Sequence, residues 1–228
     1  MNPAPRTCSR SSSPPAARHQ TRPQMRIKMT DFSITCSCGQ VTVEVVNLVA
    51  TRTNRAICGC QGCRSYAYFL GREKEMLDIY GGTDLFQTSP KNFVIRKGRD
   101  ALACVQQTPK GCLRWYASCC KTPLGNTPRT PAIPFVGISL SSVDQKEDLQ
   151  LIERTIGPPR VRVNSPVPAP DTGFLKLPPM LLRFSWMLMK WKFAGEGRDS
   201  PFFDRVTGKP VVSPQRLTAD EYENLIPS

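Results

Sequence analysis

From residue 32 the chain alternates apolar and polar positions with a period of two. Phe32, Ile34, Val41, Val43 and Val45 fall on one side, and Ser33, Thr35, Thr42 and Glu44 on the other. Alternation in β-branched residues, interrupted at Gly39, predicts a hairpin over residues 32–45. Further strands are predicted at 79–86 with a tight turn at Gly81-Gly82, at 93–98 and 102–105 as the arms of a second hairpin, and at 133–140. Residues 145–156 suit a short helix. The pattern then changes. Pro158, Pro159, Pro166, Pro168 and Pro170 predict an extended linker or surface strap over 157–173. Residues 180–193 are almost wholly apolar and read as a helix, with Arg183 and Lys190 seven apart on one face. That run falls short of the roughly 20 residues needed to cross a bilayer. It either packs on the domain or a partner, the commoner arrangement, or lies in a membrane surface. The end, Ser200-Pro201-Phe202-Phe203-Asp204, reads as an anchored tail with a turn at Gly208.

The expected fold is mostly β, with compact antiparallel sheets carrying cysteine turns and a C-terminal extension with one apolar helix. Three segments follow: a tail over 1–28, a β domain over 29–156, and an extension over 157–228. The tail mixes Ser, Pro and Arg with almost nothing apolar, so it cannot offset its ordering entropy and is expected to be disordered. Its basic, acid-free composition also mimics an organelle transit peptide, and Met25 or Met29 offers another start. Six of its cations precede the first acid, Asp31, so the net charge of +13 belongs partly to the tail. A basic balance favours anionic ligands, nucleic acid among them, without selecting one.

The chemistry is in the cysteines. There are ten, and seven cluster as Cys36/Cys38, Cys58/Cys60/Cys63 and Cys119/Cys120. No apolar secretion segment opens the chain, which argues for a reducing, cytoplasmic setting where clustered thiols mean metal or redox chemistry rather than disulfides. The single histidine, His19, is in the tail. Histidine ligands and a Ser-His or Cys-His catalytic pair are therefore nearly excluded from the folded part.

In Cys58-Gly59-Cys60-Gln61-Gly62-Cys63, glycines allow a turn tight enough to bring three sulfurs to one point, suited to tetrahedral zinc at about 2.3 Å. Three protein ligands leave a fourth position for water or substrate. A closed zinc knuckle with a fourth ligand from elsewhere, a redox sensor and an iron–sulfur cluster are the alternatives. Cys36 and Cys38, at i and i+2 of an extended segment, point the same way and suit a zinc clip between hairpins, or are core thiols. Neighbouring Cys119 and Cys120 point to opposite faces of an extended chain. One would ligate while the other packs, or the pair would exchange thiols. Cys104 and Cys112 stand alone and read as small buried hydrophobes.

The order Cys36-x-Cys38-Gly39, Cys58-x-Cys60-x-x-Cys63-Arg64, then an aromatic strand ending in cysteine and Thr122-Pro123-Leu124, resembles the glutathione-dependent formaldehyde-activating family (GFA-like, centromere-protein-V-like) over roughly residues 32–140. The resemblance implies a compact, mostly antiparallel β fold. It implies a catalytic zinc on Cys58, Cys60 and Cys63, and a structural zinc on Cys36, Cys38 and a later Cys-x-x-Cys. Here the chain departs from the pattern. Cys120 matches the second of those later cysteines, but Ala117 stands at the first. Either Cys119 takes its place or the structural zinc is weakened or lost, so one or two zinc ions per chain are expected.

The implied activity is that of a carbon–sulfur lyase on a thiol adduct such as S-hydroxymethylglutathione. Coordination lowers a thiol's pKa, so an incoming glutathione at the fourth position would lose its proton and add to the formaldehyde carbon. Arg64, expected to contact substrate, and Arg55 would offset the thiolate charge. The competing class is a non-catalytic zinc module that binds nucleic acid or protein, for which Lys110, Arg114, Trp115 and Tyr116 offer a short basic–aromatic interleaving. A disulfide-built secreted protein is a distant third.

Overall fold

A computed structural model of the protein describes Met1, residues 29–169 and residues 177–227. Apart from Met1, the basic tail expected over 1–28 lies outside the described residues, as does Pro170 of the proline-rich stretch.

The fold is mostly β, built of two sheets. The smaller has the order β1 (Thr30–Thr35), β2 (Thr42–Leu48), β5 (Phe93–Lys97), all antiparallel. The larger runs β10 (Arg162–Val163), β3 (Asn54–Cys58), β4 (Thr83–Thr88), β9 (Val136–Ser139), β8 (Pro123–Thr127), β7 (Leu113–Ala117), β6 (Leu102–Gln106), β11 (Gln215–Arg216). Its six central strands are antiparallel, and short strands pair in parallel along both edges. Helices α1 (Gln61–Leu70), α2 (Glu73–Met76), α3 (Lys146–Ile156), α4 (Leu177–Phe193) and α5 (Ala219–Glu223) fill the connections.

The period-two pattern is borne out in the first hairpin. Phe32, Ile34, Val43 and Val45 are buried while Ser33 and Thr35 are exposed. They join Phe86, Trp115, Leu124 and Ile138 of the larger sheet in one core. Burial of such side chains, at about 1.5–3 kcal/mol each, is the main force holding the two sheets together. Phe202 of the C-terminal segment completes that core, its ring centroid 4.9 Å from Phe93 and 4.8 Å from Trp115.

Strand β7 is buried on both faces. Leu113, Trp115 and Ala117 enter the main core, while Arg114 and Tyr116 take the opposite face. There Tyr116 packs with Tyr66, Ala67 and Leu70 of α1. Tyr66 also donates its hydroxyl to the Trp115 carbonyl at 2.9 Å. Those contacts fix α1, and hence its cysteine-bearing N-terminus, against the strand that carries Arg114.

The expected second hairpin does not form. β5 pairs with β2 and β6 with β7, so the chain crosses between sheets at residues 98–101. Gly98 makes the crossing. It holds φ +72°, and a Cβ there would come within 2.3 Å of the Gln40 carbonyl oxygen. Gly98→Ala therefore combines left-handed strain with a backbone clash, and is expected to cost about 2–3 kcal/mol. A urea midpoint shifted accordingly, at unchanged slope, checks this; a loss below about 0.5 kcal/mol contradicts it.

Candidate metal centres

Two groups of thiols come together among the described residues: Cys36, Cys38, Cys119 and Cys120, and separately Cys58, Cys60 and Cys63. Within each group the sulfurs all lie within 4.8 Å of one another, and all are free thiols.

The first group joins two turns. Cys36 and Cys38 sit in the β1–β2 turn, closed by Cys36 N–H to the Val41 carbonyl and Gly39 N–H to the Cys36 carbonyl. Cys119 and Cys120 sit in the β7–β8 turn, where Lys121 takes φ +58° and its N–H bonds the Ala117 carbonyl. That left-handed residue supplies the distortion that lets two adjacent cysteines face one point, so both join the group. Ala117 itself is a core residue. The Sγ separations are 3.6 Å (Cys36–Cys38), 3.8 Å (Cys36–Cys119), 3.2 Å (Cys38–Cys119) and 3.7 Å (Cys119–Cys120). Four sulfurs about 2.3 Å from one tetrahedral ion stand about 3.8 Å apart, a spacing that three of these four separations approach, so the group could hold a metal ion.

A supporting layer surrounds it. Val41 N–H points at Cys36 Sγ at 3.2 Å, and the Thr122 hydroxyl lies 3.2 Å from Cys120 Sγ. Thr122 in turn accepts from Ser37 N–H at 3.1 Å and from Arg72 at 2.9 Å. Burial would raise the Cys120 thiol, but Thr122 and its neighbours outweigh it and hold the group at about 6. Burial, then Cys38, Cys120 and Cys36, push Cys119 up to about 12. Thr122→Val removes the donor to Cys120 and the acceptor for Arg72. It is expected to weaken metal retention at this group about 10–100-fold while leaving the other group's metal in place. Competition with a chromophoric chelator measures this, and unchanged release of both ions contradicts it.

The second group is built at the junction of β3 and α1. Cys58 ends the strand, Cys60 is the residue that caps the helix start, and Cys63 lies in its first turn. Gly59 between them donates to the Val163 carbonyl at 2.9 Å, and a Cβ there would sit 2.8 Å from the Asn164 carbonyl oxygen. Segment 163–166 thus clamps the turn. Cys63 is buried while Cys58 and Cys60 are half-exposed, so the group has a closed side and an open side.

The closed side holds Arg114. Its Nη2 and Nη1 lie 3.9 and 4.0 Å from Cys63 Sγ, its guanidinium stacks 5.1 Å from the Tyr66 ring centroid, and Nη1 donates to Asn126 at 3.3 Å. No carboxylate pairs with it among the described residues. Burial disfavours its charge, but Cys63, Cys112, Tyr66 and Cys60 more than offset this, and Arg114 remains a cation. A buried cation needs an anion, and the anions within reach are thiolates. Gly62 makes room: a Cβ there would meet Arg114 Nη2 at 2.9 Å. Cys60 carries the charge most readily, held at about 2 by hydrogen bonds from Cys58 and then Cys63, with Arg114 assisting; the bonds to Cys60 and Cys63 push Cys58 up. The N-terminus of α1 favours a thiolate there as well.

Arg55 is committed to Asp84, at 3.0 and 2.8 Å, and to Glu153. Arg64 runs toward the turn before β4, its Nε 3.6 Å from the Cβ position of Gly81. Arg114, Trp115 and Tyr116 are all buried, so their interleaving makes no surface stripe. Cys104 is buried, its thiol pushed up to about 12 by that burial. Cys112 is not isolated: burial raises its thiol, Arg114 opposes, and Cys60 adds to the rise. Two residues beside the sulfurs had no metal-site signal in the sequence. They are Arg114 and Gln107, a buried amide whose Oε1 is 3.9 Å from the Cβ position of Gly62 and whose polar atoms have no hydrogen-bond partner.

No curated protein matches the chain. A crystal structure of a Rhodobacter sphaeroides protein, a structural-genomics target, overlaps 52% of this chain and 94% of its own at 17% identity, with a TM-score of 0.37. The family of unknown function DUF6151 matches residues 29–214, spanning both thiol groups and α4, and the chain belongs to that family.

Proposed function

We propose that Cys58, Cys60 and Cys63 hold a zinc ion with one open position and that this centre carries carbon–sulfur lyase chemistry on an adduct of a small thiol with an aldehyde. Cys36, Cys38, Cys119 and Cys120 hold a second, structural zinc. The observation that carries the reading is the difference in donor number. One group has four sulfurs, a closed set; the other has three, and among the described residues no fourth donor joins them. Closed four-ligand sets are structural, and three-ligand sets with a vacancy are catalytic.

S-hydroxymethylglutathione is the substrate suggested by the resemblance to the glutathione-dependent formaldehyde-activating family. In the lyase direction its carbon–sulfur bond breaks with the electron pair kept by sulfur. The hydroxyl proton passes to solvent, leaving formaldehyde and a thiolate. Zinc, when bound, supplies the Lewis acidity that makes a thiolate the favoured form at neutral pH. Arg114 offsets the negative charge of the protein sulfurs from the closed side. Gly62 lets the guanidinium approach, and the start of α1 adds partial positive charge. Half-exposed Cys58 and Cys60 mark the side from which substrate enters, where Arg64 is the candidate for its carboxylates.

The test is the exchange rate between the adduct and free glutathione plus formaldehyde, followed by two-dimensional exchange NMR with zinc-loaded protein. Acceleration in proportion to protein supports the reading. Failure with formaldehyde and with other small aldehydes, at full zinc content, overturns it and leaves a binding module.

A further inference from the structure

Helix α4 is only half used by the fold. Met180, Met187 and Trp191 are buried against the domain, whereas Leu182 is 74%, Trp186 58%, Met189 49% and Phe193 83% exposed. At i, i+4, i+7 and i+11 these four form one unbroken apolar stripe over three turns. Such a patch, on the order of 500 Å², marks an interaction surface rather than scattered exposure.

The flanks indicate the partner. Lys190 lies along one edge of the stripe and Lys192 along the other, while Arg183 beside Lys190 donates to the Ala50 and Thr53 carbonyls, and the helix contains no acidic residue. The Lys190 ammonium sits 5.2 Å from the Trp186 ring centroid. Beside that edge is a cleft of about 360 Å³ lined by Arg52, Arg183, Trp186 and Lys190. Its one acid, Glu196, is held by Arg52 and Lys91 at 2.5 and 2.7 Å. An apolar centre with tryptophan, bordered by cations on both sides, is the layout of a helix lying in the interface of an acidic bilayer. Pairing with a second copy would set the lysine edges against each other. It would also bury less than the roughly 800 Å² per partner of stable interfaces. We infer that α4 is a monotopic membrane-binding helix that seats its Leu182–Trp186–Met189–Phe193 stripe among the acyl chains of an anionic leaflet, with the phosphate headgroups on Lys190 and Lys192.

The full chain suits a direct test because its other tryptophans, Trp115 and Trp191, are buried. Vesicles of phosphatidylcholine, with or without phosphatidylserine, are used in flotation, and lipids brominated along the acyl chain serve as quenchers of Trp186. Expected are binding to the acidic vesicles, blue-shifted and bromine-quenched Trp186 emission, and weakening by about fivefold for each of Lys190→Gln and Lys192→Gln. Leu182→Ser with Phe193→Ser should abolish the quenching and weaken binding at least about tenfold, helicity and metal content being unchanged. Equal binding to neutral vesicles overturns the role of the cations. Binding that survives Leu182→Ser/Phe193→Ser without quenching assigns the contact to the basic N-terminal residues and overturns the proposal. Absence of vesicle binding, or a dimer dissolved by Trp186→Ser, overturns it in favour of a protein partner.

Discussion

Cys60→Ser protein is expected to retain the zinc of the four-thiol group, lose the other, and lose lyase activity by at least about a thousandfold. The sulfurs of Cys58, Cys60 and Cys63 lie within 4.8 Å of each other, and no fourth donor among the described residues can substitute. Two remaining thiols form too few bonds to hold the ion against solvent. The fold should tolerate the change, because Cys60 is half-exposed at a helix start and serine is a good capping residue. A far-ultraviolet spectrum like the parent's, with one zinc per chain and no adduct exchange, is the predicted set. Full zinc content together with full activity would show that the centre lies elsewhere.

Arg114→Met should produce the second-largest effect, through charge rather than ligation. Methionine fills part of the volume but removes the cation on the closed side of the sulfurs. Stripping the charged partner from a buried ionic cluster costs about 3–5 kcal/mol. The thiolates then lose their counter-charge, and activity should fall about a hundredfold. Arg114→Lys separates charge from shape: a flexible ammonium restores the sign but not the planar contact with Tyr66, and recovers only part of the loss. The rate of zinc release to a chelator distinguishes this from a merely structural role. Release from the three-thiol group should quicken in Arg114→Met and be largely restored in Arg114→Lys. Equal release and equal activity in both variants would remove Arg114 from the site.

What the sequence made legible follows from where local pattern and tertiary environment agree. The hairpin of β1 and β2 has one buried and one exposed face, so its alternation survives in the chain. The tight spacing of Cys58, Cys60 and Cys63 is itself the geometry, since a strand end and a helix start bring the three sulfurs together with no distant element. Strand β7 shows the opposite case. Both faces are buried, so no alternation announces that Arg114 turns away from Trp115 toward α1. A buried arginine without a carboxylate becomes interpretable only when the sulfurs appear beside it. The pairing of Cys119 with Cys120 in one cage depended on Lys121 taking a left-handed conformation, which lysine seldom does and composition does not signal. The strands at 93–97 and 102–106 were visible, but not their separation into two sheets, because the contact of Gly98 with Gln40 that sends the chain across is long-range. Phe202, far along the chain, closes the main core for the same reason.

Two sulfur cages of unequal donor number are proposed to grip two metal ions. Elemental analysis of the untagged protein, purified under reducing conditions without chelator, measures how many ions each chain carries. Two zinc ions per chain, falling to one in Cys60→Ser, is the predicted result. Protein that folds with no bound metal, or Cys60→Ser protein that still carries two, would contradict it.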